Sequence, residues 1–222
     1  MNPNRILVVM LLLIVGTMAK SKVFIVVVNP EPKSFCVAIA DTCAKALQAD
    51  GHEVKISNLY QLKMFNRIDR TDFTEQYDPT YFRPQVEQRE ANLKNGATFV
   101  EELRRERNNI IWADVLIYVY PAYFMYVPGI LQSYMERVFS YGFAFGPKNL
   151  AGKKAMLIYT TGSPKEHIKD PEEKMLFLLH DRFSYTKMST IPPYGAYAVG
   201  TVELEVRLRY LKEISERMHN ID

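Results

Sequence analysis

The sequence predicts an α/β fold: a doubly wound, five-stranded parallel sheet in the order 2-1-3-4-5, with helices on both faces. Three observations predict it. KVFIVVV, DVLIYVY and KAMLIYT are continuous apolar runs, the mark of strands buried on both faces. Helix-period stretches separate them, so strand and helix alternate five times along the 222 residues without an internal repeat. A hydrophobic fraction of 48% with 24% charged residues suits one well-buried domain, which we place at residues 21–222.

Each element can be justified in order. The first strand starts at Lys22, and NPEPK breaks it. SFCVAIADTCAKALQAD follows with helical spacing, Ser34 as its N-cap and Gly51 as its stop. EVKISN, residues 53–58, is a short second strand. Residues 59–83 form a long polar and aromatic connection without a strong period. A helical stretch over 84–112 breaks near Asn95-Gly96. The third strand, 114–120, runs into the loop PAYFMYV. A helix over 128–139 carries Pro128 in its first turn. The fourth strand is 154–160, followed by TGSPKE and a helix over 171–183. IPPYGAYAV places the fifth strand around Tyr194–Val199, and residues 203–219 close the chain as an amphipathic helix.

A net charge of +3, with no lysine- and arginine-rich run, gives no footprint for nucleic acid. Cys36 and Cys43 fall on one helix two turns apart, roughly 10 Å along the axis, too far for a disulfide. Their spacing is no metal motif, so no metal is expected and both are packing residues.

Residues 1–20 form an apolar segment, MNPNR then ILVVMLLLIVG, with the anatomy of a secretory signal and too short for a membrane span. Alternatively Met18 is the natural start of the domain. The second reading is taken, which makes the protein cytoplasmic; the first makes it exported or membrane-associated through residues 1–20 alone.

In a sheet of this order, ligands sit beyond the carboxyl ends of the strands at the switch point. The loops there are 29–34, 121–127 and 160–167. Loop one, NPEPKSF, feeds a helix whose free N–H groups attract anions, and Lys33 and Ser34 add a cation and a hydroxyl. It has neither GxGxxG nor GxxxxGK[ST], which argues against a dinucleotide turn and a triphosphatase loop. In loop two, Tyr123, Phe124, Met125 and Tyr126 are consecutive and cannot all point to one core. Loop three, TTGSP, brings hydroxyls and a glycine, Gly162, that admits close approach. Each loop is also explicable as a plain turn. Together they suit a flavin, with its phosphate at loop one and its ring between loops two and three.

The blocks VVVNPEPKSF, WADVLIYVYPAYFMYVPGILQSYMERVFSYGFAF and KKAMLIYTTG resemble the NAD(P)H:quinone oxidoreductases of the flavodoxin-like superfamily, the DT-diaphorase group. WAD, YP, VPGIL, ERVF and YGFAF match in order, and the likeness runs from Lys22 to the end. The resemblance implies a homodimer holding FAD, or FMN as in some members. It also implies that NAD(P)H is the hydride donor and a quinone or other small aromatic compound the acceptor. It places Ser34 and Phe35 at the flavin's phosphate end, and Asn29 and Lys33 of the same loop are taken with them as cofactor-binding residues. Pro121, Ala122, Tyr123, Phe124 and Met125 lie along the ring, and Thr160, Thr161, Gly162 and Ser163 surround its polar edge. Tyr123, Thr161 and Gly162 are then nearest the chemistry, with Tyr126, Phe145 and His167 at the acceptor pocket. Phe145 matches a ring that closes the partner subunit's pocket.

There are departures. The family's histidine at the exit of strand one is Asn29, its asparagine after SF is Cys36, and TTGG reads TTGS. The tyrosine and histidine that follow this turn and assist hydride transfer have no clean match: Ile168 falls near the first, and His167, read on its own as a solvated loop residue, is the nearest histidine. Two other readings compete: a regulatory flavoprotein attached to a membrane partner such as a potassium-efflux system, and a flavodoxin-type electron carrier.

Overall fold

The computed structural model describes residues 20–62, 67–171 and 183–221. The predicted segment 1–20 and most of the predicted helix 171–183 lie outside them. Five strands, β1 (Lys22–Val27), β2 (Glu53–Asn58), β3 (Val115–Pro121), β4 (Lys154–Thr160) and β5 (Ser189–Ala196), form one sheet ordered β2-β1-β3-β4-β5. Every pairing is parallel.

Side-chain alternation along the central strands divides the interior into two layers. Phe24, Val26, Leu116, Tyr118, Tyr120, Leu157 and Tyr159 pack beneath α2 (Pro84–Leu93), α3 (Glu101–Trp112) and α4 (Gly129–Val138). Val23, Ile25, Val27, Ile117, Val119 and Ile158 pack beneath α1 (Phe35–Ala49) and α5 (Leu204–Met218). Both faces are covered, which is why these strands read as unbroken apolar runs.

The expected punctuation is present. Ser34 Oγ accepts from the Val37 N–H at 3.3 Å, capping α1, and Gly51 follows that helix at φ +88°. Asn95 and Gly96 take left-handed conformations between α2 and α3. Cys36 and Cys43 are free and buried on α1; burial pushes the Cys43 thiol up to about 12.

One expectation needs correction. The fifth strand begins at Ser189 and ends at Ala196, not at Val199. Its register slips between Met156 and Ile158, where Pro192 and Pro193 sit. Prolines belong on an edge strand or a bulge, and this strand is both. Arg217 donates to the carbonyl oxygens of Pro192 and Pro193. The 59–83 connection, which shows no period in sequence, is anchored by tertiary contacts. Short 3-10 turns lie at Leu59–Gln61 and Arg70–Asp72. Buried Asp72 pairs with buried Arg137 of α4, and Glu87 Oε2 accepts from the Tyr77 N–H at 2.7 Å.

Candidate functional site

The three loops meet at the carboxyl edge because β1, β3 and β4 are neighbours in register, Val27 beside Val119 and Pro121 beside Thr160. Direct bonds tie them. The Ala122 N–H donates to Thr160 O at 2.8 Å, joining loops two and three. Cys36 Sγ lies 3.4 Å from Thr160 Oγ1, joining the first turn of α1 to the end of β4. Asn58 Nδ2 donates to Asn29 O at 2.9 Å, bracing loop one from β2.

At loop one, Asn29 Oδ1 accepts from the Glu31 N–H at 2.9 Å and shapes the Pro-rich turn. Lys33 is exposed, and Ser34 and Phe35 are half-buried at the start of α1. The first N–H groups of a helix have no intrahelical acceptor, so this end is electropositive. Ser34 Oγ satisfies only that of Val37.

Loop two is a two-residue hairpin. Tyr123 and Tyr126 exchange N–H···O bonds of 3.0 and 2.9 Å, while Phe124 and Met125 sit at φ +50° and +62°. Such turns normally use Asn-Gly or Gly-Gly, because side chains disfavour positive φ. Here a phenylalanine and a methionine bear that cost, and strain of this kind gathers at ligand sites. Among the described residues, the Phe124 and Met125 N–H groups donate to no protein acceptor. Phe124 is fully exposed, Tyr123 50% and Tyr126 41%, while Met125 and Ala122 pack against the core. The rings therefore do not fill the rim themselves.

At loop three, Thr160 and Thr161 are buried and Gly162 and Ser163 exposed. The Thr161 N–H donates to Ala196 O at 2.9 Å, the Ala198 N–H to Ser163 O at 3.1 Å and the Val199 N–H to Thr161 O at 3.1 Å. Thr161 Oγ1 donates to Ser163 O at 2.6 Å, which commits its hydroxyl to the turn. Gly162 has no positive φ, and a Cβ built there meets nothing within 4 Å. The protein's own backbone does not require glycine at this position. Among the described residues, the Gly162 and Ser163 N–H groups also lack protein acceptors.

Two expected pocket residues stand apart from this rim. Phe145 packs against Tyr141 and Tyr185 and lines a 220 Å³ cleft with Met135 and Phe139, which no residue of the three loops lines. His167 is exposed at the end of a 3-10 turn, Lys165–His167, and Ile168 beside it is buried. Sequence reading missed Tyr60. Its N–H donates to Asn58 Oδ1 at 3.1 Å, and burial, then the nearby Tyr123, raise the pKa of its hydroxyl. The pair joins residues 63 positions apart, which no local pattern reports. It also missed Arg207, in the first turn of α5, whose buried Nε finds no acceptor among the described residues.

A family model of the flavodoxin-like fold matches residues 21–219. A ribosyldihydronicotinamide dehydrogenase-like protein, traD, of Penicillium crustosum is 30% identical over 226 residues, covering 90% of this chain and 81% of the relative. The NAD(P)H dehydrogenase [quinone] 1 of Rattus norvegicus is 34% identical over 219 residues, covering 92% and 78%. A putative quinone reductase of Klebsiella pneumoniae superposes with a TM-score of 0.84 over 90% of this chain and 85% of its own, at 24% identity, which supports the shared fold. The strand order, the site at the switch point and these matches agree: the chain belongs to the flavodoxin-like fold family, among the NAD(P)H and ribosyldihydronicotinamide quinone dehydrogenases.

Proposed function

We propose that the protein is a flavin-dependent NAD(P)H:quinone oxidoreductase that carries out two-electron reduction by alternate binding of donor and acceptor. One observation carries the reading. Four backbone N–H groups, of Phe124, Met125, Gly162 and Ser163, lie unclaimed among the described residues, on two neighbouring loops beside an open glycine. That cradle suits a flat, heteroatom-edged ring.

A bound flavin supplies the redox chemistry, taking hydride from a dihydronicotinamide and passing two electrons to a quinone. The chain's part is to bind, orient and exclude water. The start of α1, with Ser34, Phe35 and Lys33, holds a phosphate by N–H groups and dipole. The amides of Phe124 and Met125 and of Gly162 and Ser163 are fixed dipoles that favour negative charge beside them. Tyr123, Tyr126 and Tyr60 wall the acceptor's approach, holding two planar rings face to face. Thr161 positions the turn rather than moving a proton, since its hydroxyl is spent on Ser163 O.

FAD is our reading over FMN. Arg207 supports it: a buried cationic N–H without an acceptor among the described residues, at the start of the helix that packs beside α1, suits the second half of a dinucleotide. A homodimer is part of the same reading, with the Phe145 cleft meeting a second copy. We place the protein in the cytoplasm. Absorbance of the purified protein and extraction of its cofactor test the core reading. The visible absorbance bands of a flavin are expected, shifted from those of the free cofactor by the amide dipoles around the ring. Colourless protein without quinone reduction on addition of FAD or FMN would remove it.

A further inference from the structure

One side chain outside the three loops reaches both ends of the site. Asn58 closes β2, which supplies none of those loops, and stands in register beside Val27, where β1 gives way to loop one. Its neighbour fixes the strand end there: the buried Ser57 hydroxyl donates to Glu106 Oε1 of α3 at 3.2 Å.

From this position the half-buried carboxamide of Asn58 makes two bonds of opposite sense. Nδ2 donates to Asn29 O at 2.9 Å, and Oδ1 accepts from the Tyr60 N–H at 3.1 Å. The first bond holds the main chain at the head of loop one. Asn29 then uses its own Oδ1 to accept from the Glu31 N–H, turning the chain toward Lys33 and Ser34. The second bond caps the 3-10 turn Leu59–Gln61 as an Asx-turn. That turn seats Leu59 in the core and leaves the Tyr60 ring 43% exposed, near Tyr123. A side-chain amide can serve both partners because it carries a donor and an acceptor on separate atoms. An ionised carboxylate accepts but cannot donate, and an aliphatic side chain does neither.

We propose that Asn58 is a positioning residue for the reaction, setting loop one for the cofactor's phosphate with one end of its carboxamide and Tyr60 for the acceptor with the other. The inference rests on the oxidoreductase reading and extends that site to β2. Its two roles are separable, since different atoms perform them.

The test uses the full chain with Asn58→Ser and Asn58→Ala. Serine is a helix-capping residue that keeps an oxygen for the Tyr60 N–H but is too short to replace the donor to Asn29 O; alanine keeps neither. Flavin fluorescence recovered on serial dilution of the flavin-loaded protein gives the dissociation constant, and quinone kinetics are read at saturating flavin. Both variants are expected to bind flavin about three- to tenfold more weakly, the loss of one hydrogen bond. The quinone KM should rise about threefold in Asn58→Ala with kcat held, and return to the wild-type value in Asn58→Ser, where the cap survives. A merely structural strand end would move flavin affinity, KM and kcat together and would not separate serine from alanine. That result overturns the proposal. If the wild type binds flavin and reduces quinone and both variants match it, only the role of Asn58 falls. Wild-type protein that takes up no flavin removes the oxidoreductase reading and this role with it.

Discussion

Tyr159 Oη and Tyr197 Oη meet at 2.7 Å directly over Gly195, where a methyl group would sit 2.7 Å from the first and 2.6 Å from the second. The missing side chain on β5 is what lets the two hydroxyls pair. The residues flanking Tyr197 hold loop three, since Ala196 O accepts from Thr161 and the Ala198 N–H donates to Ser163 O. Gly195→Ala should therefore cost about 1–3 kcal/mol through overpacking, and flavin content should fall with it. Thermal melts alongside the protein-to-flavin absorbance ratio check this; an unchanged ratio would separate the tyrosine pair from the cofactor turn.

Gly162 behaves in the opposite way. Its backbone conformation accepts any residue and its Cβ direction is open. Gly162→Val should leave stability within about 0.5 kcal/mol of wild type, as for an unconstrained surface position, yet abolish flavin retention. Retention equal to wild type would show that the ring does not approach this turn.

The hairpin at Phe124-Met125 stores strain that a different sequence would release. Replacing the exposed Phe124 with Asn, and keeping Met125 because it packs against the core, should stabilise the protein by roughly 1 kcal/mol, because asparagine tolerates the left-handed region at lower cost. Loss of the fully exposed Phe124 ring should at the same time raise the quinone KM. Denaturant melts and steady-state kinetics read the two effects separately.

Glu106 gives a pH prediction. The carboxyl is fully buried, and burial raises its pKa more than the hydrogen bond from Ser57, the charge of Arg105 and their neighbours lower it. A carboxyl raised in the folded state holds its proton more tightly folded than unfolded. That contribution is present below the ordinary carboxylate range and is lost as pH rises through the folded value. Glu106→Gln, which cannot ionise, should be more stable than wild type at pH 8 and converge with it near pH 4. Melting temperatures across that interval decide; parallel curves would mean Glu106 titrates as an ordinary glutamate.

Local pattern carried much of the fold. KVFIVV, VLIYVY and KAMLIYT announced their burial because both sheet faces are covered. Ser34, Gly51 and Asn95-Gly96 marked helix ends through chemistry that acts within a few residues. The first half of β5 is largely exposed and its prolines sit at a bulge, so no apolar run advertises where it begins. In the candidate site, the gathering of the three loops followed from strand order alone. The positive φ of Phe124 and Met125 did not, since no glycine or asparagine signals it; the surrounding β3–α4 connection imposes it. Tyr60, Gly195 and the Asp72–Arg137 pair escaped for one reason: their partners are distant in the chain.

The Arg217 contacts reach beyond the site. Two consecutive prolines leave edge strand β5 without two amide hydrogens, and one guanidinium engages their oxygens. An incoming extended segment finds no ladder to join along that stretch. Cross-chain zippering therefore meets an interruption midway along that flank of the sheet, held in place by a side chain of α5.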